Sequence, residues 1–210
     1  MASGIRQSRG LIRFGLKPIL WLVLGYGALD LLVGVLTGKL GPDPVETLLH
    51  TSGLWAINSM VATLLVTPLS RMLNWPLLIQ TRRLCGLFVF FYASLHLWIY
   101  IQYILFFDWR MIAGEIIERP YITIGFLAWL MLLPLAFTST KGSKRRLGRK
   151  WVKLHMLTYA IAILGIWHFY WQVKLNLEEP IKYGVIIGLL LLWRIAAYWL
   201  KKSRPVAVSD

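Results

Sequence analysis

The sequence predicts an all-α, multi-pass membrane protein in which six helices cross the bilayer. Hydrophobic residues make up 58% of its 210 residues, against roughly 45–50% in soluble domains. The chain contains six apolar stretches, each close to the ~20 residues needed to cross a hydrocarbon core of ~30 Å. None of these stretches alternates apolar and polar residues with the period of two that is typical of a β-barrel strand.

The six predicted spans, in chain order, are Ile19–Leu36, Leu54–Leu69, Leu84–Phe107, Tyr121–Phe137, Leu154–Trp171 and Ile181–Leu200. The first follows a basic segment, but it is long and has no clear small-residue cleavage motif, so we expect it to be retained. The second is short, and His50–Gly53 could lengthen it. The third has no Asp, Glu, Lys or Arg, which disfavours a soluble helix with a polar face. Since the connections are short, residues 1–210 are predicted to form a single domain.

The distribution of charge predicts the orientation of the chain. The sequence has 23 Lys and Arg against 9 Asp and Glu, a formal charge of +14. With the N-terminus inside, 18 of the 23 basic residues fall on the inner side and five on the outer side: Lys39, Arg110, Arg119, Lys174 and Lys182. This bias follows the positive-inside rule and places both termini in the cytoplasm. It explains the basicity without a nucleic-acid partner, and leaves anionic lipid or an acidic cytoplasmic protein as partners of the inner face.

Several classes of site are excluded by what the sequence lacks. A single cysteine, Cys85, allows neither an intrachain disulfide nor a cysteine-based zinc site. There is no glycine-rich phosphate loop following a strand. We find no internal repeat strong enough to suggest an inverted-repeat transporter. Any chemistry is therefore expected within the helices or at their ends.

Two histidines lie at matching depth in different spans. His96 is 12 residues past Leu84 and His168 is 14 residues past Leu154, so they lie roughly 18 and 21 Å from the inner face at 1.5 Å per residue. Two imidazoles that face each other across a helix bundle can ligate one haem iron from both sides. With both axial positions filled, the iron carries electrons and does not bind substrate. The pattern predicts a b-type haem between the third and fifth spans.

The two other histidines are more ambiguous. His155 lies 13 residues before His168, roughly 20 Å away along the axis and close to the inner face. It is a candidate ligand for a second haem, but it has no histidine at matching depth, because the third span has Arg82 and Arg83 there. The alternative is an interfacial histidine beside lipid headgroups. His50, at the outer end of the second span, is expected to be interfacial, and its alternative role is a hydrogen bond to a haem propionate.

Three further polar residues allow other functions. Asp30 in the first span is a candidate proton or polar-network group, because ionisable residues within spans are costly. Arg82 and Arg83 could bind haem propionates, a flavin phosphate or lipid phosphate, since guanidinium groups match such anions. The main alternative function is a proton-coupled transporter or channel, with Asp30 and the two deep histidines along the path. A structural assembly factor without a cofactor is the other alternative.

A series of motifs, in order along the chain, resembles the MsrQ family, formerly called YedZ. The resemblance extends from about Gly41 to Trp171. The motifs are GPDPVETLLHTSG (Gly41–Gly53), ATLLVTPLSR (Ala62–Arg71), PLLIQTRRLCGL (Pro76–Leu87), ASLHLWIY (Ala93–Tyr100), ERPYITIGFLAWLMLLPLAFTST (Glu118–Thr140) and LGRKWVKLHMLTYAIAILGIWHFYW (Leu147–Trp171).

The resemblance implies the haem-binding membrane subunit of the bacterial MsrPQ methionine sulfoxide reductase system, in the ferric-reductase-like superfamily. Such a subunit passes electrons across the inner membrane to a periplasmic molybdopterin subunit, MsrP, which repairs oxidised periplasmic proteins. The haem histidines of the family match His96, His155 and His168. The family is also associated with FMN, and with quinol or a cytoplasmic flavin reductase as electron donor. The chain would then be an electron-transfer subunit of an oxidoreductase complex, not its catalytic subunit.

Overall fold

The computed structural model describes residues 10–173 and 176–203, and these residues form helices without any strand. A π-helical turn, Leu11–Leu16, precedes the first α-helix, and a 3-10 helix, Pro76–Thr81, precedes the third. The nine α-helices of the described segments are α1 (Lys17–Thr37), α2 (Pro44–Met72), α3 (Arg82–Tyr103), α4 (Trp109–Glu118), α5 (Pro120–Phe137), α6 (Lys141–Leu147), α7 (Arg149–His155), α8 (Leu157–Gln172) and α9 (Glu178–Lys202).

Within the described residues, six helical segments are long and apolar enough to cross a membrane, which confirms the predicted fold class. They are Phe14–Thr37, Pro44–Met72, Pro76–Tyr103, Pro120–Phe137, Arg149–Gln172 and Glu178–Lys202. Four basic residues and one acidic residue counted for the orientation lie outside the described residues: Arg6, Arg9, Lys174, Arg204 and Asp210. The end of the bundle where α2 and α5 begin and α3 and α8 end is called the outer end below, following the predicted orientation.

Two predicted boundaries differ from the structure. Helix α2 begins at Pro44 and not at Leu54. The Asp43 carboxylate caps it by accepting a hydrogen bond from the Glu46 amide at 2.9 Å, and proline is favoured at the first position of a helix. The third span ends at Tyr103 and not at Phe107. Phe106 and Phe107 adopt left-handed backbone angles, with φ of 46° and 57°, which end the helix.

The core of the fold is a bundle of four helices, α2, α3, α5 and α8. In sequence order, α2 pairs with α3 and α5 pairs with α8, while α3 packs on α5 and α2 on α8. Helix α9 lies against α2 and α8, and α1 lies against α2 and α3. One cluster of buried apolar side chains joins four core helices and α9: Met60, Leu64, Val89, Ala128, Leu132, Leu135, Ile161, Ala162 and Ile187.

A proline inside α2 explains why an arginine is partly buried in the last span. Pro68 has no amide hydrogen, so the Leu64 carbonyl one turn earlier loses its usual partner within the helix. Arg194 of α9 donates from its guanidinium to that carbonyl, and also to the Leu190 carbonyl at 2.7 Å. Within a bilayer, a freed carbonyl must be satisfied by a neighbouring helix. Arg194 therefore joins α9 to α2.

Helix α1 is fastened to the bundle by a buried tyrosine. The Tyr92 hydroxyl accepts a hydrogen bond from the Ala28 amide at 3.0 Å and donates one to the Leu24 carbonyl. Leu24 and Ala28 are four residues apart, so the hydroxyl inserts into the hydrogen-bond ladder of α1. Such an insertion is a recognised cause of helix bending.

Candidate functional site

A cavity of about 440 Å³ opens at the outer end of the bundle and reaches its middle. This volume falls within the roughly 300–1,000 Å³ of pockets that hold small ligands and cofactors. Its walls come mainly from apolar side chains of α2, α3, α5 and α8, and α4 covers part of the outer mouth. His96 and His168 both line it. The described residues therefore bring the two depth-matched histidines into one largely apolar chamber.

The two imidazoles are oriented alike by backbone carbonyls. The His96 Nδ1–H donates to the Leu49 carbonyl at 2.9 Å, and the His168 Nδ1–H donates to the Tyr121 carbonyl at 2.8 Å. A histidine that donates from Nδ1 keeps its other nitrogen, Nε2, unprotonated and basic, the form that ligates a metal. Each ring thus has one nitrogen occupied and one available.

The distance between the two rings fits a single iron atom held between them. Their centroids are 6.2 Å apart and their planes are at 85°. A ligating nitrogen lies about 2 Å from its metal, and the imidazole centre lies about 1 Å beyond that nitrogen, so two rings on one metal have centres about 6 Å apart. The donor set, its spacing and its apolar surroundings therefore fit a haem with two histidine ligands.

Sequence reasoning missed the groups that hold the rings. These are the carbonyls of Leu49 and Tyr121, together with two glycines, Gly53 and Gly125, against which the rings lie. A signal was present: the pattern T-x-G-x-x-A occurs at residues 51–56 and again at 123–128. A search for short repeats near the histidine spacing would have found it.

A polar network spans the outer mouth of the cavity. The Tyr100 hydroxyl donates to Glu115 at 2.6 Å, and Arg119 forms an ion pair with the same carboxylate at 3.0 Å. Arg119 also donates to the Tyr121 hydroxyl at 3.2 Å. This hydrogen bond, with the nearby carboxylate, raises the pKa of Arg119 above its usual value. The network links α4 to the segment that holds the His168 ring.

His50 also lines the cavity, but it has another partner. Its Nε2 lies 3.0 Å from Glu179 of α9, and both side chains are almost half exposed. The position at the outer end of α2 agrees with the sequence analysis. Its role as an interfacial residue or as a propionate partner stays a prediction.

His155 lies apart from the other histidines, at the inner end of the bundle. Its ring stacks on Trp151 at 3.8 Å, and its Nδ1–H donates to the Trp151 carbonyl at 3.1 Å. The Nε2 atom is buried and makes no hydrogen bond of standard geometry among the described residues, while the Leu135 carbonyl lies close to the ring. Arg82 and Lys144 are close enough to act on the ring electrostatically. The described part of the chain brings no second histidine to this end.

The remaining candidates do not join either site. Asp30 is exposed on α1 and is not among the residues that line the cavity. Cys85 is buried against the apolar cluster beside α1, and Arg83 is exposed. A proton path through Asp30, His96 and His168 would therefore have to leave the cavity.

The chain is similar to a family of membrane proteins and to several curated proteins. Residues 52–166 match the family described as "Ferric reductase like transmembrane component". A protein of Xanthomonas campestris pv. campestris (strain B100) is 50% identical over 156 residues, covering 74% of this chain and 72% of that protein. One of Herminiimonas arsenicoxydans is 41% identical over 199 residues, covering 92% and 90%. Both are named "Protein-methionine-sulfoxide reductase heme-binding subunit MsrQ". No solved structure matches the chain.

Proposed function

Because the chain belongs to the MsrQ family of haem-binding subunits, within the ferric-reductase-like transmembrane proteins, we propose that it is an electron-transfer subunit with one b-type haem held by His96 and His168. The observation that carries this proposal is the pair of rings, 6.2 Å apart, each fastened through Nδ1 to a carbonyl. An arrangement in which both rings leave Nε2 free is what two axial ligands require.

The residues around the cavity hold and insulate the redox group. The bound haem supplies one-electron oxidation and reduction of its iron. The Leu49 and Tyr121 carbonyls keep each imidazole in the ligating tautomer and raise its basicity. The apolar walls exclude water, which together with the axial ligands sets a reduction potential. With His96 and His168 both bound to its iron, a haem held here would have no position left for a substrate and would transfer electrons, and the catalysis would take place on a partner.

The proposed route runs from the cytoplasm outward across the bacterial inner membrane. The electron donor is quinol or a cytoplasmic flavin reductase, and the acceptor is a periplasmic molybdopterin methionine sulfoxide reductase, MsrP, which repairs oxidised proteins. The inward bias of basic residues supports the orientation. The position of the histidine pair in the outer half supports delivery of electrons on the outer side. The name shared by the relatives supports a reductase partner.

A second redox group is proposed at the inner end, where His155 and Arg82 lie near each other. The buried Nε2 of His155, which makes no hydrogen bond of standard geometry among the described residues, supports a ligand there. A second haem would use His155 and a partner other than histidine. FMN would instead present a phosphate that suits the guanidinium of Arg82.

Proteoliposomes would test the proposed function. Purified protein is inserted in vesicles that contain a flavin reductase with NADH and flavin, and a membrane-impermeant ferric acceptor is placed outside. Acceptor reduction should require the wild-type protein and should be lost in His96→Ala and His168→Ala. His50→Ala serves as the matched control, since it keeps both proposed ligands.

The alternative function predicts a different result in the same vesicles. A proton-coupled transporter or channel would move protons or solutes without reducing the acceptor, and the purified protein would have no haem absorbance. That outcome would replace the proposal. The outcome in which the acceptor is reduced equally by both histidine variants would refute the ligand assignment.

A further inference from the structure

The two histidines are held by two helix pairs of the same design. In the first pair, α3 supplies His96 and α2 supplies the Leu49 carbonyl. In the second pair, α8 supplies His168 and α5 supplies the Tyr121 carbonyl. In both pairs the donor and acceptor are separated by 47 residues. The T-x-G-x-x-A pattern occurs at the same place in each, so α2–α3 and α5–α8 match at a shift of 72 residues, the spacing from His96 to His168.

In each pair a glycine lies four residues after the accepting carbonyl, directly beside the ring. A Cβ atom placed on Gly125 would lie 2.7 Å from Nδ1 of His168 and 2.9 Å from its Cε1. A Cβ atom on Gly53 would lie 3.4 Å and 3.5 Å from the same atoms of His96. Residues four apart lie on one face of a helix, which explains why the carbonyl and the glycine meet the same ring.

The two contacts differ in how much room they leave. A separation of 2.7 Å is too short for a carbon atom, so a methyl group on Gly125 would displace the ring or the helix. A separation of 3.4 Å requires only a small adjustment. His96 also has a second polar neighbour, the Ser52 hydroxyl at 3.3 Å, so its ring can shift and keep a partner.

We propose that Gly125 and Gly53 are positioning residues, which let the two histidine rings lie directly against the neighbouring helices. Of the two contacts, the one at Gly125 leaves less room for a side chain. The inference rests on the proposed haem site and deepens it. The carbonyl sets which nitrogen faces the iron, and the glycine sets how closely the ring can lie against the neighbouring helix. A side chain at position 125 moves His168 away from the iron even though the histidine itself is unchanged.

The test compares three alanine variants of the purified, haem-loaded protein. Gly125→Ala should lose the spectrum of a haem with two histidine ligands and should bind carbon monoxide in the ferrous state, because one axial position opens. Gly53→Ala should keep the spectrum, with a shifted midpoint potential and little carbon monoxide binding. Gly188→Ala on α9 is the matched control, since no atom lies within 4 Å of a Cβ placed there and Gly188 is not among the residues that line the cavity. It should behave as wild type.

Carbon monoxide binding separates positioning from loss of the fold, since an unfolded variant loses haem altogether. If Gly125→Ala fails to fold, the midpoint potentials of Gly53→Ala and Gly188→Ala are compared instead. Identical potentials for these two variants would overturn the proposal. A Gly125→Ala protein that keeps the wild-type spectrum and excludes carbon monoxide, while His168→Ala binds it, would overturn the glycine inference alone. A wild-type protein without haem would overturn the proposed function as well.

Discussion

The contact between Arg194 and α2 gives a prediction that can be tested by a double-mutant cycle. Pro68 leaves the Leu64 carbonyl without its helical partner, and the Arg194 guanidinium occupies it. Arg194→Met keeps the length of the side chain and removes the donor. Pro68→Ala restores an amide hydrogen that can bond the same carbonyl within α2. The effect of the arginine substitution should therefore depend on which residue occupies position 68.

The expected magnitude follows from the hydrogen bond involved. A buried carbonyl left without a partner costs about 1–3 kcal/mol, while measured interhelical hydrogen bonds in membranes contribute about 0.6 kcal/mol on average and up to about 1.7. We expect Arg194→Met to cost about 1–2 kcal/mol more in the wild-type background than in the Pro68→Ala background. Removing a partly buried charge also changes solvation, but that contribution is common to both backgrounds and cancels in the cycle.

The assay is reversible unfolding in mixed detergent micelles, followed by circular dichroism. Lys202→Met is the matched control, because Lys202 lies on the same helix, with its ammonium group 5.4 Å from the centre of the Trp199 ring. It should show no dependence on position 68. If the coupling energy between positions 194 and 68 is indistinguishable from the coupling energy between positions 202 and 68, the explanation of the buried arginine is refuted.

Three further predictions concern α1, α4 and His50. Tyr92→Phe removes the hydroxyl inserted in α1, so the Ala28 amide should exchange faster and stability should fall by about 1 kcal/mol; unchanged exchange would contradict this. Glu115→Gln removes the charge of the group that accepts the Tyr100 hydrogen bond, so the backbone amides of α4 should exchange with solvent faster while the haem spectrum stays unaltered. Exchange rates equal to those of the wild type would show that the network does not hold α4. His50→Ala should keep the full haem content per polypeptide, and a loss of haem would make His50 part of the site.

Hydropathy and charge were enough to predict six spans, because a bilayer imposes length and composition on each helix separately. They did not predict α4, a helix of 10 residues in the outer connection. They also did not predict the early start of α2, since both depend on local capping by Asp108 and Asp43. Such short-range hydrogen bonds leave little trace in a hydropathy profile.

The depth of the two histidines could be calculated from the rise of a helix, but their partners could not. Whether His96 faces His168 depends on the rotation of α3 and α8, which is set by packing across the bundle. The bond from each Nδ1 goes to a backbone carbonyl, a group that every residue has, so no residue type signals it. Gly53 and Gly125 were recognisable only as members of a short repeated pattern.

The central claim is that His96 and His168 ligate the same haem, and the most direct test is the absorption spectrum of single histidine variants with haem counted per polypeptide. Wild type and His50→Ala should show the same low-spin spectrum of a b-type haem with two histidine ligands, reduced minus oxidised. His96→Ala and His168→Ala should each lose it, with loss of one haem or with a haem open to carbon monoxide. His155→Ala should keep it whether or not a second group is lost at the inner end. A low-spin spectrum of a haem with two histidine ligands that survives either substitution, at His96 or at His168, would contradict the account.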